Sequence, residues 1–300
     1  MEAEKISLAE INNGIKSNLD SYITACENAY IAQVKEVAQN TINKGAKFIL
    51  LAGPSSSGKT TSSKILANTL AENGYKAMPL SLDDFFVERE QTPKWEDGTY
   101  NYETADAIDW ELFGKCVKSL LEGKSVKLPT YNFTTGSKHF DAETTITQNT
   151  IVVIEGLHAL NPIIDKYIPK NKSYKVYISL NTDVYQNGKP FLRHETIRQY
   201  RRIIRDLYTR STSIAKTLEM WRQVLTGEAL YIDPFVDSVE YKINSFHPYE
   251  ICVYKSIFDS LINHDKEIPN ILKKLEPVHE LSKQAVPSTS VLQEFIPQNN

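Results

Sequence analysis

One nine-residue segment combines the residue types that bind phosphate. GPSSSGKTT, residues 53–61, matches the pattern G-x-x-x-x-G-K-[ST]. The glycines permit a tight loop whose backbone N–H groups point at phosphate oxygens, while Lys59 can reach the β- and γ-phosphates and the Thr60 hydroxyl can ligate Mg²⁺. A Gly/Ser turn that happens to contain a lysine is the alternative. The pattern predicts nucleoside triphosphate binding by Gly53, Pro54, Ser55, Ser56, Ser57, Gly58, Lys59, Thr60 and Thr61.

Acidic residues follow two short apolar runs. PLSLDDFF contains Asp83 and Asp84, and TIVVIEG contains Glu155. Phosphoryl transfer to an alcohol requires a carboxylate that orients the hydroxyl and accepts its proton, and an acid near the phosphates can hold the hydration shell of Mg²⁺. The aspartates are candidates for the first task and Glu155 for the second. The alternatives are a turn or helix-capping aspartate and an exposed acid at a strand end.

A basic helix is predicted at RHETIRQYRRIIRDLYTR, residues 193–210. Arg198, Arg202 and Arg205 fall at positions i, i+4 and i+7 and therefore share one helix face, and Arg201 is spaced to pair with Arg205. This many cations on one face repel each other unless an anion meets them. A triphosphate would be such an anion, so we expect a lid that supplies charge during transfer. A solvated basic helix, partly neutralised by its own acids, is the alternative.

The elements that must position these segments alternate between strand and helix. Continuous apolar runs at 47–53, 150–156 and 174–180 are typical of strands buried on both faces, and further strands are predicted at KAMPLSL and at 238–244. Helical patterns cover 59–72, 109–123, 196–208 and 213–226, and another helix begins near Pro248. A β-rich stretch between 125 and 148 predicts a ribbon. We therefore expect an α/β P-loop NTPase fold with a mostly parallel sheet flanked by helices, a small β-ribbon insertion and a helical lid.

The overall composition excludes several classes of protein. A formal net charge of −3 gives no strongly basic surface for nucleic acid. The apolar runs are too short to cross a bilayer, and the acidic N-terminus does not resemble a secretory signal. The three cysteines are far apart and odd in number, which fits a reducing compartment. We expect a cytoplasmic protein that partners neither nucleic acid nor membrane, and we leave a homo-oligomer open.

The motifs together resemble a known family. GPSSSGKTT, SLDDFF, LPTYNF, VIEG and RQYRRIIRDLYTR, in this order, resemble the uridine kinase and phosphoribulokinase family from about Lys47 to Lys255. Further segments, such as IEGLHALNP, KTLEMW and VPSTSVLQEF, are similar to the kinase half of bacterial TGS-linked nucleoside kinase-like proteins. The helical spacing of apolar residues predicts that 1–44 is an N-terminal helical extension. We expect 45–276 to be a P-loop kinase domain with its lid at about 190–227, and 277–300 to be a C-terminal tail packed on the domain.

The resemblance also implies a role for individual residues. Asp83 would activate the acceptor hydroxyl. The implied catalytic residues are Asp83, Lys59, Arg205 and Arg210, the metal-binding residues are Thr60 and Glu155, and the substrate-binding residues are Asp83, Phe86, Tyr131, Phe133 and Arg202. Two positions depart from the family pattern: Gly136 lies where uridine–cytidine kinases have a histidine, and Arg210 is followed by Ser-Thr rather than Gly-Arg. Both changes remove polar groups near the base and weaken the expectation of uridine itself.

The expected function is that of a kinase that uses ATP and Mg²⁺. It would transfer the γ-phosphate to a hydroxyl of a small molecule, with the 5′-hydroxyl of a uridine- or cytidine-like nucleoside as the favoured acceptor. Two alternatives remain at this point. One is a kinase for a non-nucleoside alcohol or a sugar phosphate, and the other is a catalytically weak ATP-binding regulatory protein.

Overall fold

A computed structural model describes residues 3–298 of the chain. Ten strands occur in that range: β1 (Glu4–Ser7), β2 (Phe48–Ala52), β3 (Lys76–Ser81), β4 (Val126–Asn132), β5 (Ser137–Thr144), β6 (Thr150–Glu155), β7 (Ser173–Ser179), β8 (Thr182–Gln186), β9 (Lys189–Leu192) and β10 (Tyr241–Asn244). Eight α-helices accompany them: α1 (Leu8–Ser17), α2 (Leu19–Lys44), α3 (Lys59–Glu72), α4 (Trp110–Leu121), α5 (His194–Thr209), α6 (Ile214–Tyr231), α7 (Glu250–Ser260) and α8 (Ile268–Lys274).

A five-stranded parallel sheet forms the centre of the fold, in the order β10-β7-β2-β6-β3. Every residue of β2 and β7 is buried, as expected for strands covered on both faces, and the continuous apolar sequence of β2 predicts this directly. In the register of the sheet, Glu155 on β6 lies opposite both Leu51 of β2 and Ser81 of β3. The carboxyl ends of these three strands therefore meet at one edge, where the motif residues follow them.

The predicted fold class is confirmed. The sheet is parallel, helices flank it, and β4 and β5 form the expected antiparallel ribbon. Two boundaries were wrong. Helix α6 extends to Tyr231, beyond the predicted end at 226, and the predicted strand at 238–244 begins only at Tyr241 because Asp233–Ser238 forms a 3₁₀ helix.

A second, smaller sheet was not predicted. Strand β1 pairs in parallel with β8, and β8 pairs with β9 in an antiparallel hairpin. Each strand has only four or five residues, too few to show a clear alternation of apolar and polar side chains. The partners β1 and β8 are also far apart in sequence. The hairpin leads directly into α5, so it fixes where the predicted lid begins.

The two ends of the chain pack against the central domain. Apolar residues of α1 and α2, of the sheet and of the tail belong to one hydrophobic cluster, which includes Val37, Ile49 and Phe295, all fully buried. The Tyr30 hydroxyl of α2 also hydrogen bonds to Ser62 of α3. The predicted division into extension, kinase domain and tail stays a prediction, and its outermost residues, 1–2 and 299–300, lie outside the described range.

The lengths of the helices and the burial of the cysteines are two further features of the fold. None of the helices within residues 3–298 is both long and apolar enough to cross a membrane. The cysteines Cys26, Cys116 and Cys252 are free thiols, of which the last two are buried. Burial raises the pKa of the Cys252 thiol to about 12, so this group stays protonated and unreactive near neutral pH.

Candidate active site

The phosphate loop connects β2 to α3 and depends on its glycines. A Cβ at Gly53 would lie 2.1 Å from the carbonyl oxygen of Ile178, so no larger residue fits there. Gly58 has a φ of +93°, the left-handed region that favours glycine, and it immediately precedes the first residue of α3. The local sequence therefore forces the chain into a tight loop that ends at a helix N-terminus, which is a general anion-binding arrangement.

Polar groups of this loop are positioned for a ligand. The hydroxyls of Ser56 and Ser57 are buried and form no hydrogen bond with any described residue. Buried polar groups normally have partners, so these two hydroxyls fit an anionic ligand that is not part of the chain. The Lys59 ammonium donates to the carbonyl oxygens of Gly53 (2.8 Å) and Pro54 (3.2 Å), and it lies at the wall of the same cleft.

Asp83 lies on the 3₁₀ turn that follows β3 and faces the cleft. Asp83 is solvent-exposed as a residue at the cleft, although protein atoms crowd around its carboxyl group. This burial, reinforced by the negative charge of Glu155 and opposed by Lys59, raises the pKa of Asp83 to about 6. A carboxylate with a raised pKa is a stronger base than an ordinary aspartate, which is a property of proton acceptors in active sites.

The neighbouring acids have different surroundings. Asp84 points away from the cleft and accepts a hydrogen bond of 3.2 Å from the backbone N–H of Tyr131, which ties the turn to the β-ribbon. Glu155 accepts a 3.2 Å hydrogen bond from the Ser81 hydroxyl and lines the cleft together with Thr60. The adjacent aspartates are therefore distinct: one faces the cleft, and the other holds the ribbon in place.

Arginines of α5 form one wall of the cleft, and a single buried carboxylate accompanies them. Asp206 is only 1% exposed in its side chain, and it lies 3.2 Å from Arg202, 2.9 Å from Arg205 and 3.6 Å from Arg210. One directly paired carboxylate does not neutralise three guanidinium groups, and further negative charge comes from Glu103 near Arg202 and from Glu294 near Arg210. All three arginines line the cleft that contains the phosphate loop. The cluster therefore fits an anionic ligand.

Two other arginines of α5 do not face this anion site. Arg198 is paired with Glu228 of α6, with its Nη2 atom 2.6 Å from Oε2, and its Nη1 also donates to the Ser55 carbonyl. Arg201 is fully buried and paired with Glu250 of α7. The prediction that Arg198 shares the anion of the other arginines is wrong, since a carboxylate of the protein already neutralises it. The sequence around these arginines does not indicate their pairing, because the partner carboxylates, Glu228 and Glu250, lie on later helices.

The other wall of the cleft is aromatic. Phe86 packs edge-to-face against Tyr102 at 5.1 Å between ring centroids and against Phe133 at 5.8 Å. These three rings line the cleft, and Phe133, which is 54% exposed, stands at its mouth. The predicted Tyr131 lies behind them, where its ring packs against Phe86 at 5.6 Å and does not reach the cleft wall.

Four of the residues that line the cleft carry no local signal in the sequence. Tyr102 and Glu103 follow an irregular loop with no periodic pattern, while Glu228 and Glu294 come from α6 and the C-terminal tail. The resulting cleft has a volume of about 610 Å³. Its lining residues are Ser55, Ser56, Ser57, Gly58, Lys59, Thr60, Asp83, Phe86, Tyr102, Glu103, Phe133, Glu155, Gly156, Leu157, Arg202, Arg205, Arg210, Val224, Glu228 and Glu294.

Arg89 occupies the space next to Gly136. A Cβ at Gly136 would lie 2.6 Å from both Cβ and Nε of Arg89. The Arg89 guanidinium donates to the carbonyl oxygens of Phe133 and Thr134, which fastens the tip of the β-ribbon over the aromatic wall. Arg89 thus fills the space that a side chain at position 136 would occupy.

Comparisons with known proteins agree on the family. Residues 48–251 match the model of the "Phosphoribulokinase / Uridine kinase family". The chain is 27% identical over 194 residues to a uridine kinase of Ureaplasma parvum serovar 3, covering 65% of this chain and 84% of that protein. It is 25% identical over 261 residues to a uridine kinase of Saccharomyces cerevisiae, covering 84% of this chain and 47% of that protein.

A solved structure described as a possible uridine kinase from Bacillus stearothermophilus is also similar to the chain. The two chains share 21% sequence identity with a TM-score of 0.40. The matched region covers 49% of this chain and 79% of the Bacillus chain. The family model carries the assignment, because it matches well over half of the sequence and includes the phosphate loop, the acidic strand ends and α5. The chain belongs to the phosphoribulokinase and uridine kinase family.

Proposed function

We propose that this protein transfers the γ-phosphate of ATP to a hydroxyl group of a small molecule, with the 5′-hydroxyl of a uridine- or cytidine-like nucleoside as the favoured acceptor. One observation carries the proposal. A carboxylate with a raised pKa, a phosphate loop and a group of incompletely neutralised arginines all line one cleft. This is the set of groups that phosphoryl transfer to an alcohol requires.

The phosphate side of the site divides the work between the loop and α5. The loop from Gly53 to Thr61 would hold the triphosphate through its backbone N–H groups and the unpartnered serine hydroxyls, with Lys59 moving from the loop carbonyls to the phosphates. Arg205 and Arg210 would stabilise the charge on the transferring group. They are suited to this because Asp206 fixes their position but neutralises only part of their charge.

Asp83 is proposed as the proton acceptor for the attacking hydroxyl. The proton passes from the acceptor hydroxyl to the Asp83 carboxylate as the oxygen attacks phosphorus in line with the departing ADP. The raised pKa favours this transfer, because the carboxylate then holds a proton more readily than an ordinary aspartate does. In the free enzyme it remains largely ionised near neutral pH, which is the state that a base needs.

Thr60 and Glu155 are the residues that would hold a magnesium ion. Their oxygen atoms are of the type that Mg²⁺ prefers, and both line the cleft beside Asp83. Among the described residues, no group of three or more His, Cys, Asp or Glu side chains forms a metal site of its own. This fits Mg²⁺, which is commonly held by one or two protein groups together with the phosphates of the nucleotide. When bound, the ion would neutralise charge on the phosphates.

The acceptor would lie between Asp83 and the aromatic wall. Phe86 and Phe133 offer ring faces and edges to a planar base, and Tyr131 supports Phe86 from behind. Arg202, whose Nη1 donates to the Ser55 hydroxyl at 2.6 Å, lies between the loop and the acceptor space. Glu103 adds an acid on the same side, in reach of the hydroxyl groups of a sugar.

Position 136 of the β-ribbon favours a second candidate acceptor. Gly136 supplies no polar side chain where the family resemblance implies a histidine, and Arg89 beside it donates to the ribbon backbone, so an acceptor other than a pyrimidine nucleoside is the alternative.

A panel assay tests the proposal. Purified protein is incubated with Mg-ATP and with uridine, cytidine, purine nucleosides, simple sugars or sugar phosphates, and both ADP and phosphorylated product are quantified. Phosphorylation of a pyrimidine nucleoside supports the favoured acceptor, whereas turnover restricted to another alcohol supports the second candidate. ATP binding without turnover of any acceptor would overturn the kinase assignment in favour of a regulatory protein.

A further inference from the structure

The C-terminal tail places a carboxylate on the phosphate loop. Oε2 of Glu294 accepts hydrogen bonds from both the backbone N–H (3.3 Å) and the hydroxyl (2.9 Å) of Thr61. These two residues are 233 positions apart in the sequence. Thr61 is the last residue of the predicted nucleotide-binding segment, so an anion of the protein already occupies donors that a phosphate group would use.

The helix that receives this carboxylate has no other cap. Gly58 is the N-cap of α3, it has no side chain that could accept a hydrogen bond, and the first turn contains no acidic residue. The N-terminus of a helix attracts negative charge through its free N–H groups and its dipole. Glu294 is therefore the carboxylate that serves this helix end. The question is whether it is a permanent cap or gives way to a ligand.

The tail around Glu294 is firmly packed, whereas the Glu294 side chain is only half-buried. Val291, Leu292 and Phe295 are fully buried. A Cβ at Gly58 would lie 2.6 Å from Cγ2 of Val291, so the tail backs the phosphate loop directly. The ring of Phe295 also lies 4.7 Å from the guanidinium carbon of Arg201. This packing keeps the tail on the loop, and the carboxylate can turn towards the open cleft.

Glu294 lines the cleft and has an alternative partner there. The Arg210 guanidinium lies in the same cleft, and its pKa is lowered mainly by burial and by Arg205, while the negative charges of Asp206 and Glu294 oppose that effect. Two anions cannot share the Thr61 donors at low cost, because like charges repel strongly at hydrogen-bonding distance. A phosphate group that binds at Thr61 must therefore displace the carboxylate.

We propose that Glu294 is a built-in competitor of the nucleotide: its carboxylate occupies the phosphate position at Thr61, and nucleotide binding releases it into the cleft. The proposal rests on the proposed function, since it requires that the phosphate loop binds a nucleoside triphosphate. It adds a residue of the C-terminal tail to the nucleotide site. It also makes the nucleotide affinity of the protein lower than the loop alone would provide.

Calorimetric titration of the full chain with Mg-ATP tests the competition, using the wild type and two variants of one residue. Glu294→Gln keeps the shape and the tail packing but removes the charge, and we expect it to bind Mg-ATP about tenfold more tightly. Glu294→Asp keeps the charge but is one methylene shorter, so it no longer reaches Thr61. If occupancy of Thr61 is what matters, Glu294→Asp also binds more tightly than the wild type.

Two controls separate this effect from others. Glu280→Gln changes another tail acid, which is 56% exposed and 3.7 Å from Lys255, and should leave the affinity unchanged. Adenosine has no phosphate, so its affinity should be the same in the wild type and in Glu294→Gln.

The outcomes are distinct. The inference is overturned if Glu294→Gln binds Mg-ATP no more tightly than the wild type, if Glu294→Asp behaves like the wild type while Glu294→Gln does not, or if adenosine affinity rises as much as ATP affinity. In each of these cases measurable ATP binding still leaves the proposed function intact. Absence of ATP binding in both the wild type and Glu294→Gln would instead refute both.

Discussion

Replacement of Glu250 by Gln would test how the arginine helix is anchored. The Glu250 carboxylate accepts from Nε of Arg201 at 2.7 Å and from Nη2 at 3.0 Å. It also accepts from the Tyr254 hydroxyl at 2.8 Å and from the backbone N–H of His247 at 2.9 Å. Both members of the ion pair are fully buried, so solvent cannot compensate for a lost charge.

The expected loss of stability follows from this burial. Removing one partner of a buried ion pair leaves an uncompensated charge and typically costs about 3–5 kcal/mol. We expect Glu250→Gln to lower the free energy of unfolding by an amount in this range. The Arg201→Met/Glu250→Met double variant should be more stable than Glu250→Gln, because it removes the isolated charge and refills the space with apolar groups.

Urea denaturation followed by circular dichroism would measure these differences. Glu219→Gln provides the matched control, because it breaks an exposed pair with Lys216 at 3.0 Å, which should contribute no measurable stability. A loss below about 1 kcal/mol for Glu250→Gln, the size of an ordinary substitution, would refute the reasoning. It would mean that the buried pair does not hold α5 against α7.

Three further predictions concern proton transfer, the ribbon and the thiols. An aspartate must be ionised to act as a base, and the pKa of Asp83 is raised to about 6, so kcat/KM should increase with pH and reach half its maximum near pH 6. A half-maximal value near pH 4 would contradict this. Gly136→Ala should destabilise the protein by about 1 kcal/mol or more, seen in urea denaturation, since φ is +76° and Arg89 fills the adjacent space. The pKa of both Cys26 and Cys252 is raised to about 12, mainly by burial, so native protein at pH 8 should resist iodoacetamide at these positions, and rapid alkylation detected by mass spectrometry would disagree.

Much of the fold and part of the site follow from local sequence. The phosphate loop can be predicted because its glycines and lysine are contiguous and lie between an apolar run and a helical pattern. Asp83 and Glu155 can be predicted because Glu155 ends the buried strand β6 and Asp83 lies two residues after β3, and parallel strands bring their carboxyl ends together. In both cases the information lies within about ten residues of the site.

The remainder depends on contacts between distant segments. Nothing near Arg198 indicates that Glu228 neutralises it, and nothing near Thr61 indicates that Glu294 accepts its hydrogen bonds. Such pairs leave no periodic pattern, because each partner lies in an element with its own spacing. The interpretation of Arg198, Arg202 and Arg205 as one phosphate-facing set failed at Arg198 for the same reason. Helical spacing shows which arginines share a helix face, but it does not reveal which carboxylates of other elements form ion pairs with that face.

Asp83 is the proposed proton acceptor in a phosphoryl transfer within this cleft. The most direct measurement compares wild type and Asp83→Asn for nucleoside phosphorylation and, separately, for Mg-ATP affinity. We predict that the variant loses about 10²- to 10⁴-fold in turnover, as expected for a lost general base, while its affinity for Mg-ATP stays close to that of the wild type. Turnover near the wild-type level in Asp83→Asn would contradict the account.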